Sequence, residues 1–370
     1  MKIVCSKTEL QNRVNIVLKA VPAKSTMPIL ECLIIDVKSD TIKLIANDME
    51  LGIETIVKGE VIETGTVAIN AKVFSEIIRK LPDNDVTIET DGNYLTTILC
   101  EKAKFAISGK SSEEFPYLPK VEKQNAVVLS QFTLKEIIRQ TVFSISDNES
   151  NKIMTGELFE ITGNELKVVS LDGHRISIRK IELKEEYEDI KVIVPGKTLI
   201  EVSKILSGEF TDEVNLYFTD KHIIFEFDNT VVLSRLIEGE YYKINQMLSS
   251  DYETKVTINK KELLSCIDRA TLLIKETEKK PIIVKINDKN MELKMNSTIG
   301  SMDEEIDITK EGKDIVIGFN PKFLIEALRV IDDEEVDIYL INPKAPCFIR
   351  DKEERYIYLI LPVNFNSAVQ

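Results

Sequence analysis

The chain contains 370 residues, of which 43% are apolar and 30% are charged, and its formal net charge is −14. This length exceeds what one ordinary hydrophobic core organises, so we expect two or three domains. The sequence has no apolar run of about 18 residues, and its first residues, MKIVCSKTEL, lack the apolar stretch of a secretion signal. We therefore expect a cytoplasmic protein without a membrane-spanning helix. Five scattered cysteines, none in a C-x-x-C pair, favour buried thiols over disulfides or a zinc site.

The predicted elements follow one order three times along the chain. A helix comes first, then alternating strands, then a second helix, and finally an acidic turn with further strands. Apolar spacing predicts the helices at 7–19, 72–81, 131–142, 197–207, 260–273 and 321–330. The strands after the first helix of each segment read LECLIIDV and TIKLIAN, GELFEIT and ELKVVSL, PIIVKIN and MELKMNS. The acidic turns with their strands read PDNDVTIE, FTDEVNLY and DDEEVDIY.

The second helix of each segment shows the repeat most clearly. Lys72, Lys197 and Lys322 lie 125 residues apart in both steps, and each is followed four residues later by a glutamate. The apolar residues keep the same register, which is the pattern of an amphipathic helix. A solenoid repeat is shorter, with about 20–50 residues. We therefore predict an α+β fold made of three copies of one domain, each with two helices packed on antiparallel sheet, at 1–124, 125–250 and 251–370.

Charge is distributed unevenly over these elements. All six predicted helices are net positive and sum to +8, whereas the rest of the chain carries −22. For any single helix, cations near its C-terminus and Lys–Glu pairs four residues apart have an ordinary structural explanation. Six positive helices in an acidic chain favour a shared surface for a polyanion, contacting backbone phosphate without reading base sequence. The candidate phosphate contacts are Lys72, Arg79, Lys80, Lys135, Arg139, Lys197, Lys204, Lys260, Lys261, Lys322 and Arg329.

The stretch VSLDGHRISI contains one of the two histidines in the chain. Asp172-Gly173 predicts a two-residue hairpin turn, matched in the other repeats by Asn47-Asp48 and Asn296-Ser297. An enzyme is the alternative, with Asp172, His174 and Arg175 as catalytic groups. Its metal ligands would be Asp332, Asp333, Glu334 and Glu335. The acidic cluster, however, has counterparts at 83–85 and 212–213, and no nucleophile–base spacing is visible. We expect no catalysis, metal or cofactor; a repeat scaffold without a DNA role is a further alternative.

Several stretches carry a resemblance to a known family over the whole chain. They are STMPILECL, TGELFEITGNELKVVSLDGHR, VIVPGKTLIE, IGFNPKFL and YLILPV. With the threefold repeat and the basic helices, the sequence resembles the bacterial DNA polymerase III β subunit, the sliding clamp family. The resemblance implies the DNA clamp fold, a head-to-tail homodimer ring of six domains whose helices line the hole. It implies a non-catalytic processivity factor that encircles duplex DNA in the nucleoid and tethers DNA polymerase III.

The resemblance also implies site residues. Phe105 and Ile107 would meet Leu272 and Leu273 of the partner subunit, and the loop residues Lys24, Asn148 and Lys152 would join the DNA contacts. A peptide groove would take Q-L-x-L-F-type segments of replicative and translesion polymerases, the clamp loader, mismatch repair proteins and ligase. The groove positions are Met154, Leu171, Gly173, His174, Arg175, Ile176, Tyr242, Gln246, Met247, Asn320, Phe323, Pro346, Leu359, Ile360, Leu361, Pro362 and Val363. In this chain Tyr242 replaces a common proline and Gln246 a common arginine, and the tail reads VNFNSAVQ. These departures from the family pattern would alter which peptide the groove prefers.

Overall fold

The computed structural model describes residues 1–119, 121–248, 251–274 and 280–365. No helix in these ranges is long and apolar enough to cross a membrane. The six predicted helices are confirmed, and every helix end lies within two residues of the predicted one. The described helices are α1 (Lys7–Val17), α2 (Ala71–Lys80), α3 (Gln131–Thr141), α4 (Gly196–Ile205), α5 (Lys260–Thr271) and α6 (Pro321–Val330). Short 3₁₀ segments are Leu18–Ala20, Pro28–Glu31, Val142–Ser144, Lys152–Thr155 and Ile244–Gln246.

Local sequence explains where these helices begin. The Asn70 side chain accepts a hydrogen bond from the Val73 N–H at 3.0 Å, and Asn259 and Asn320 cap α5 and α6 in the same way. Such a cap satisfies one of the free N–H groups of the first turn. In α2 the residues Phe74 and Ile78 are buried, so the cations of this helix lie on its solvent face.

The described strands lie between these helices. In the first third of the chain they are β1 (Lys2–Ser6), β2 (Cys32–Lys38), β3 (Thr41–Asn47), β4 (Leu51–Val57), β5 (Glu60–Glu63), β6 (Gly65–Asn70), β7 (Asp85–Thr90), β8 (Leu95–Cys100) and β9 (Ala103–Ser108). In the middle they are β10 (Val127–Ser130), β11 (Gly156–Leu171), β12 (Arg175–Pro195), β13 (Glu213–Phe218), β14 (His222–Phe227) and β15 (Thr230–Arg235). In the last third they are β16 (Thr254–Asn259), β17 (Ile282–Ile286), β18 (Asn290–Asn296), β19 (Ser301–Asp307), β20 (Thr309–Gly312), β21 (Ile315–Phe319), β22 (Glu335–Leu340), β23 (Cys347–Arg350) and β24 (Tyr356–Ile360).

The first of two compact units comprises Met1–Thr133 and Glu201–Leu236. It contains a five-stranded sheet, β5-β1-β7-β8-β9, and an eight-stranded sheet, β10-β13-β14-β15-β4-β3-β2-β6. The larger sheet crosses the predicted boundary between repeats because β15 pairs antiparallel with β4, with Leu233 opposite Gly52. We name this pairing the first junction.

The second unit comprises Leu134–Ile200 and Ile237–Gln370. It contains a seven-stranded sheet, β11-β12-β24-β23-β22-β16-β20, and a four-stranded sheet, β19-β18-β17-β21. Here β24 pairs antiparallel with β12, with Leu359 opposite Ile176. This pairing, the second junction, joins the second and third repeats as the first junction joins the first and second. The chain therefore divides into two units, each formed around a sheet that two repeats share.

The second junction separates two hydrophobic clusters. Along β24, Tyr356, Tyr358 and Ile360 face the cluster that includes α5 and α6. Ile357 and Leu359 face a cluster on the other side of the sheet. This alternation follows from the strand period of two residues. It decides which side chains of the last strand lie near the candidate groove.

Candidate functional site

The hairpin between β11 and β12 is centred one residue later than the sequence predicts. Asp172 Oδ1 accepts hydrogen bonds from the N–H groups of His174 at 2.9 Å and Arg175 at 3.2 Å. The Asp172 N–H in turn donates to the Arg175 carbonyl at 3.4 Å, so Gly173 and His174 are the central residues. Gly173 has φ +89°, a left-handed conformation that glycine adopts without strain. The Asp172 side chain therefore caps the turn from the first of its four positions.

Arg175 is a buried charge and not an exposed rim of the groove, since only 6% of it is accessible. Its guanidinium donates to Asp172 Oδ2 at 2.9 Å, to the Phe143 carbonyl at 2.5 Å, and to Glu326. It also lies 4.5 Å from the ring centroid of Phe323. These contacts satisfy the buried charge and attach the hairpin to α6.

His174 and Phe323 form the exposed edge of this arrangement. The imidazole stacks on the Phe323 ring with centroids 6.2 Å apart and planes inclined by 21°. The His174 carbonyl accepts the Leu361 N–H at 2.9 Å, which fixes the chain after β24 beside the turn. A cavity of about 640 Å³ opens here and is lined by His174, Asn320, Phe323 and Val363. A second cavity of about 550 Å³ lies beside it, lined by Phe143, Asn148, Arg175 and Phe323.

The remaining predicted groove residues separate into a buried base and an exposed layer. Leu171, Ile176 and Leu359 lie in one buried cluster, and Met154 packs against it. The exposed residues are Gly173, Tyr242, Gln246, Met247, Leu361 and Val363, whereas Pro346 and Pro362 are half-buried. Asn151 Nδ2 donates to the Tyr242 hydroxyl at 2.7 Å, which holds that ring at the surface.

Ile360 does not join these groove residues. It is only 1% exposed and faces the cluster of α5 and α6, because neighbouring residues of a strand point to opposite sides of the sheet. Its side chain is therefore not accessible to a peptide that binds beside Leu359 and Leu361.

The predicted phosphate contacts differ in how far they are already neutralised. Lys24, Lys72, Arg79, Lys80, Lys152, Lys197 and Lys261 are exposed, together with Asn148; Lys135 and Lys260 are half-buried. Within the described ranges, the three cations of α2 make no ion pair with another side chain. Four others have carboxylate partners: Lys204 with Glu201 at 2.7 Å, Arg329 with Asp268 at 3.2 Å, Lys322 with Glu326 at 3.8 Å, and Arg139 with Glu136 and Asp332. Lys260 Nζ donates to the Ile331 carbonyl at 2.5 Å.

Two of the predicted subunit contacts lie on an edge strand, and the other two follow a helix. Phe105 is exposed and Ile107 half-buried on β9, the edge strand of the five-stranded sheet. Leu272, 77% exposed, and Leu273 follow the end of α5, in the unit where β19 forms an edge of the four-stranded sheet. Edge strands present unpaired backbone groups, which makes them natural sites for pairing with another chain.

Four of the groups that the catalytic alternative requires are engaged in other contacts. Asp172 is bound by Arg175, Asp332 by Arg139, and Asp333 accepts the Tyr356 hydroxyl at 2.8 Å. Across the described part of the chain, no group of three or more histidine, cysteine, aspartate or glutamate side chains could hold a metal ion. The sequence also did not reveal Phe143 and Glu326 as partners of Arg175, although Glu326 belongs to the repeated Lys-Glu helix pattern.

Repeated α+β domains that share antiparallel sheets across their junctions define the fold class of the DNA clamps. Sequence models of the DNA polymerase III beta subunit match nearly the whole chain: the N-terminal domain at 1–119, the central domain at 128–243 and the C-terminal domain at 245–364. The chain therefore belongs to the DNA polymerase III beta subunit family, whose members are sliding clamps.

Individual relatives agree with this assignment. The beta sliding clamp of Staphylococcus epidermidis is 34% identical over 365 residues, covering 95% of this chain and 96% of that protein. The crystal structure of a Bacillus subtilis sliding clamp is 33% identical, with a TM-score of 0.95 over 99% of this chain and all of that one. A crystal structure from Eubacterium rectale, provisionally assigned as a DNA polymerase III beta subunit, is 67% identical with a TM-score of 0.96 over 99% of this chain and 100% of that chain.

Proposed function

We propose that the chain acts as a head-to-tail homodimeric ring that encircles duplex DNA and holds replication and repair proteins on it without catalysis of its own. The observation that supports the dimer best is the repeated junction. The last strand of the second repeat, β15, pairs with β4, and the last strand of the third repeat, β24, pairs with β12. The corresponding strands that remain are β9 and β19, and both are sheet edges.

A third junction between two copies would pair β9 with β19 of the partner subunit. The pairs next to the hairpin turns align β9 with β15 and β19 with β4. In this alignment Ala103 corresponds to Thr230, and Ser301 corresponds to Gly52. Transferring the first junction then places Lys104 opposite Asp303 of the partner subunit. Opposite charges directly across a strand pair are favourable, by roughly 0.2–1 kcal/mol. Two such contacts related by a twofold axis close a ring.

The dimer is tested by charge reversal at this predicted pair. Sedimentation of the unchanged protein should give twice the 42.1 kDa of one chain. Lys104→Glu and Asp303→Lys should each weaken the dimer, and the double variant should restore it. Replacement of Leu272 and Leu273 by glutamate should dissociate it outright. A stable monomer at micromolar concentration, or a double variant no better than either single one, would overturn the proposal.

We propose that DNA binding is sequence-independent and topological. The exposed cations of α2 with Lys24, Lys152 and Lys261 support contacts to phosphate, which are interchangeable along a duplex. Clamp loaded on a nicked circular plasmid should be lost when the plasmid is cut once. Retention on the linear product would contradict encirclement and favour simple electrostatic binding.

We propose that the exposed layer beside His174, Phe323, Leu361 and Val363 binds the Q-L-x-L-F-type peptides of polymerases, clamp loader, mismatch repair proteins and ligase. Its support is a cavity next to exposed apolar side chains, the arrangement expected of a peptide site. Leu361→Glu should weaken binding of such a peptide at least about tenfold, since it places a charge among apolar contacts. Ile62→Glu is a matched control at an exposed apolar residue of the other unit. Unchanged affinity for Leu361→Glu would refute the assignment.

We also propose a location in the cytoplasm at the nucleoid, which an encircling DNA clamp requires.

We propose that the boundaries between repeats lie near 124 and 250. Limited proteolysis that cuts first near these positions would support the boundaries. Cleavage first within the paired strands of either junction would contradict them.

A further inference from the structure

The first unit contains a cavity of about 340 Å³ at the first junction. Its lining includes Asn47, Glu50, His222, Leu233 and Arg235. This volume lies at the lower end of the range for small-molecule sites, about 300–1,000 Å³. None of these residues belongs to the proposed DNA, dimer or peptide contacts.

The cavity is the repeat counterpart of the proposed peptide groove. The Arg235 N–H donates to the Glu50 carbonyl at 2.9 Å, as the Leu361 N–H donates to the His174 carbonyl at 2.9 Å. Leu233 lies opposite Gly52 in the first junction, as Leu359 lies opposite Ile176 in the second. The backbone frame is therefore shared, and only the side chains distinguish the two sites.

One difference is that the chain itself forms the base of the smaller cavity. A Cβ atom on Gly52 would lie 1.9 Å from Leu118 Cδ2, so the leucine occupies the place that a larger residue would take. The segment around Leu118 is held there because Asn47 Nδ2 donates to the Pro116 carbonyl at 2.7 Å. The resulting cavity, about 340 Å³, is smaller than the cavity of about 640 Å³ beside His174.

The second difference is charge. Arg235 takes the place of Leu361, and His222 lies directly opposite it on β14. Within the described residues, Arg235 makes no ion pair, and Lys221 adds a further positive charge beside it. Burial lowers the pKa of His222, and the positive charges of Arg235 and Lys221 lower this pKa further. Met49 and Tyr117, both exposed, supply apolar surface in the lining of the same cavity.

We propose that this cavity is a second ligand site, which takes a short apolar peptide segment bearing a carboxylate, bound by Arg235 and His222. The proposal rests on the proposed function, because the site is the counterpart of the proposed peptide groove. A guanidinium without a partner favours a carboxylate, and the exposed methionine and tyrosine favour an apolar side chain beside it. Glu50, which also lines the cavity, disfavours a ligand with several negative charges.

The two histidines of the chain report on the two sites separately, since His174 lies at the groove and His222 in this cavity. We would label the histidine ring carbons of the full-length protein and titrate N-acetyl-Leu-Phe, comparing its free carboxylate with its C-terminal amide. The free acid should shift the His222 signal, and the amide should bind about tenfold more weakly, as loss of a charge-assisted hydrogen bond predicts. An unmoved His222 signal, or equal shifts by acid and amide, would overturn the proposal.

Variants separate this proposal from the proposed function. Arg235→Gln should abolish the His222 response to the acid, and Glu50→Gln should strengthen it. Leu361→Glu should leave that response unchanged while it removes the His174 response to a Q-L-x-L-F-type peptide. Persistence of the His222 response in Arg235→Gln would overturn the second site. If that Q-L-x-L-F-type peptide gave no His174 response in the unchanged protein, the proposed groove would be refuted and the second site would still stand.

Discussion

The two junctions have the same backbone pairing and different side chains. This contrast separates the backbone contacts that maintain the fold from the side chains that determine what each site can bind. Leu51 in the first junction is a buried leucine, whereas its counterpart Arg175 is a buried cation. Arg235 in the first corresponds to Leu361 in the second. Hydrogen bonds of the strands use only backbone atoms, so they tolerate this exchange. Each repeat can therefore keep the fold and change its binding chemistry.

The core shows the same contrast. Glu157 is fully buried, while its counterparts by strand register, Leu33 and Ile282, are fully buried apolar residues. Glu157 Oε2 accepts a hydrogen bond from the Thr141 hydroxyl at 3.0 Å, and among the described groups its Oε1 has no partner. Burial raises the pKa of Glu157 well above its usual range, because desolvation favours the protonated carboxyl in the folded protein.

The largest expected effect comes from removing the cation of the second junction. Arg175→Ala should destabilise the second unit by about 3–5 kcal/mol, because it leaves Asp172 and Glu326 as partly buried carboxylates without their partner. Urea unfolding followed by circular dichroism measures this change. The control is Lys313→Ala, which removes an exposed pair with Glu253 and should cost less than about 1 kcal/mol. Equal effects of the two variants would show that the buried cation is not essential to the junction.

The next effect tests the packing of Leu118 against the first junction. Gly52→Ala should destabilise the first unit by about 1–3 kcal/mol, since its Cβ would overlap the leucine side chain. Gly92→Ala, where a Cβ would meet no atom within 4 Å, serves as control and should change little. In a double-mutant cycle, Leu118→Ala should relieve part of the Gly52→Ala penalty. Strict additivity would mean that the two side chains do not compete for one space.

A pH-dependent difference should follow from Glu157. The folded state binds this proton more tightly than the unfolded state, whose carboxyl titrates near about 4.3, so stability falls as pH rises above that value. Glu157→Gln removes the proton uptake. As pH rises, the free energy of unfolding of this variant should increase relative to that of the unchanged protein by up to about 1.4 kcal/mol per pH unit. Thermal melts between about pH 5 and 8 measure this. Parallel pH profiles for the two proteins would show that the carboxyl is ionised in the fold.

The smallest effect concerns the exposed cations. Arg79→Gln should remove the release of about one counterion on DNA binding. The slope of the logarithm of the binding constant against the logarithm of the salt concentration should then become less steep by about 0.9. Arg139→Gln should reduce it less, because Glu136 and Asp332 already neutralise that guanidinium. Anisotropy of a labelled short duplex over a range of salt concentrations distinguishes them. If Arg139→Gln had the larger effect, its ion pairs would have to open on DNA.

Much of the architecture could be predicted from the sequence, since helix periodicity and the 125-residue register are local signals. The six helices and the threefold α+β repeat follow from them. The Asp-Gly pair predicts the turn one residue too early, because Asp172 caps the turn with its side chain and the pair alone does not specify that geometry. The resemblance places Ile360 in the groove with the other residues of the last strand, but Leu359 and Ile360 face opposite sides of the sheet.

The sequence by itself determined the repeat, the positive helices and the family to which the chain belongs. Only the tertiary structure decided which charges are buried and which are available. Arg175 and Glu326 are 151 residues apart in the chain, and their contact exists because β24 brings the third repeat against the second. Strand pairing at the first junction likewise places Arg235 beside Glu50, and pairing at the second junction places Leu361 beside His174. Such contacts depend on strand register across repeats, and no local pattern records it.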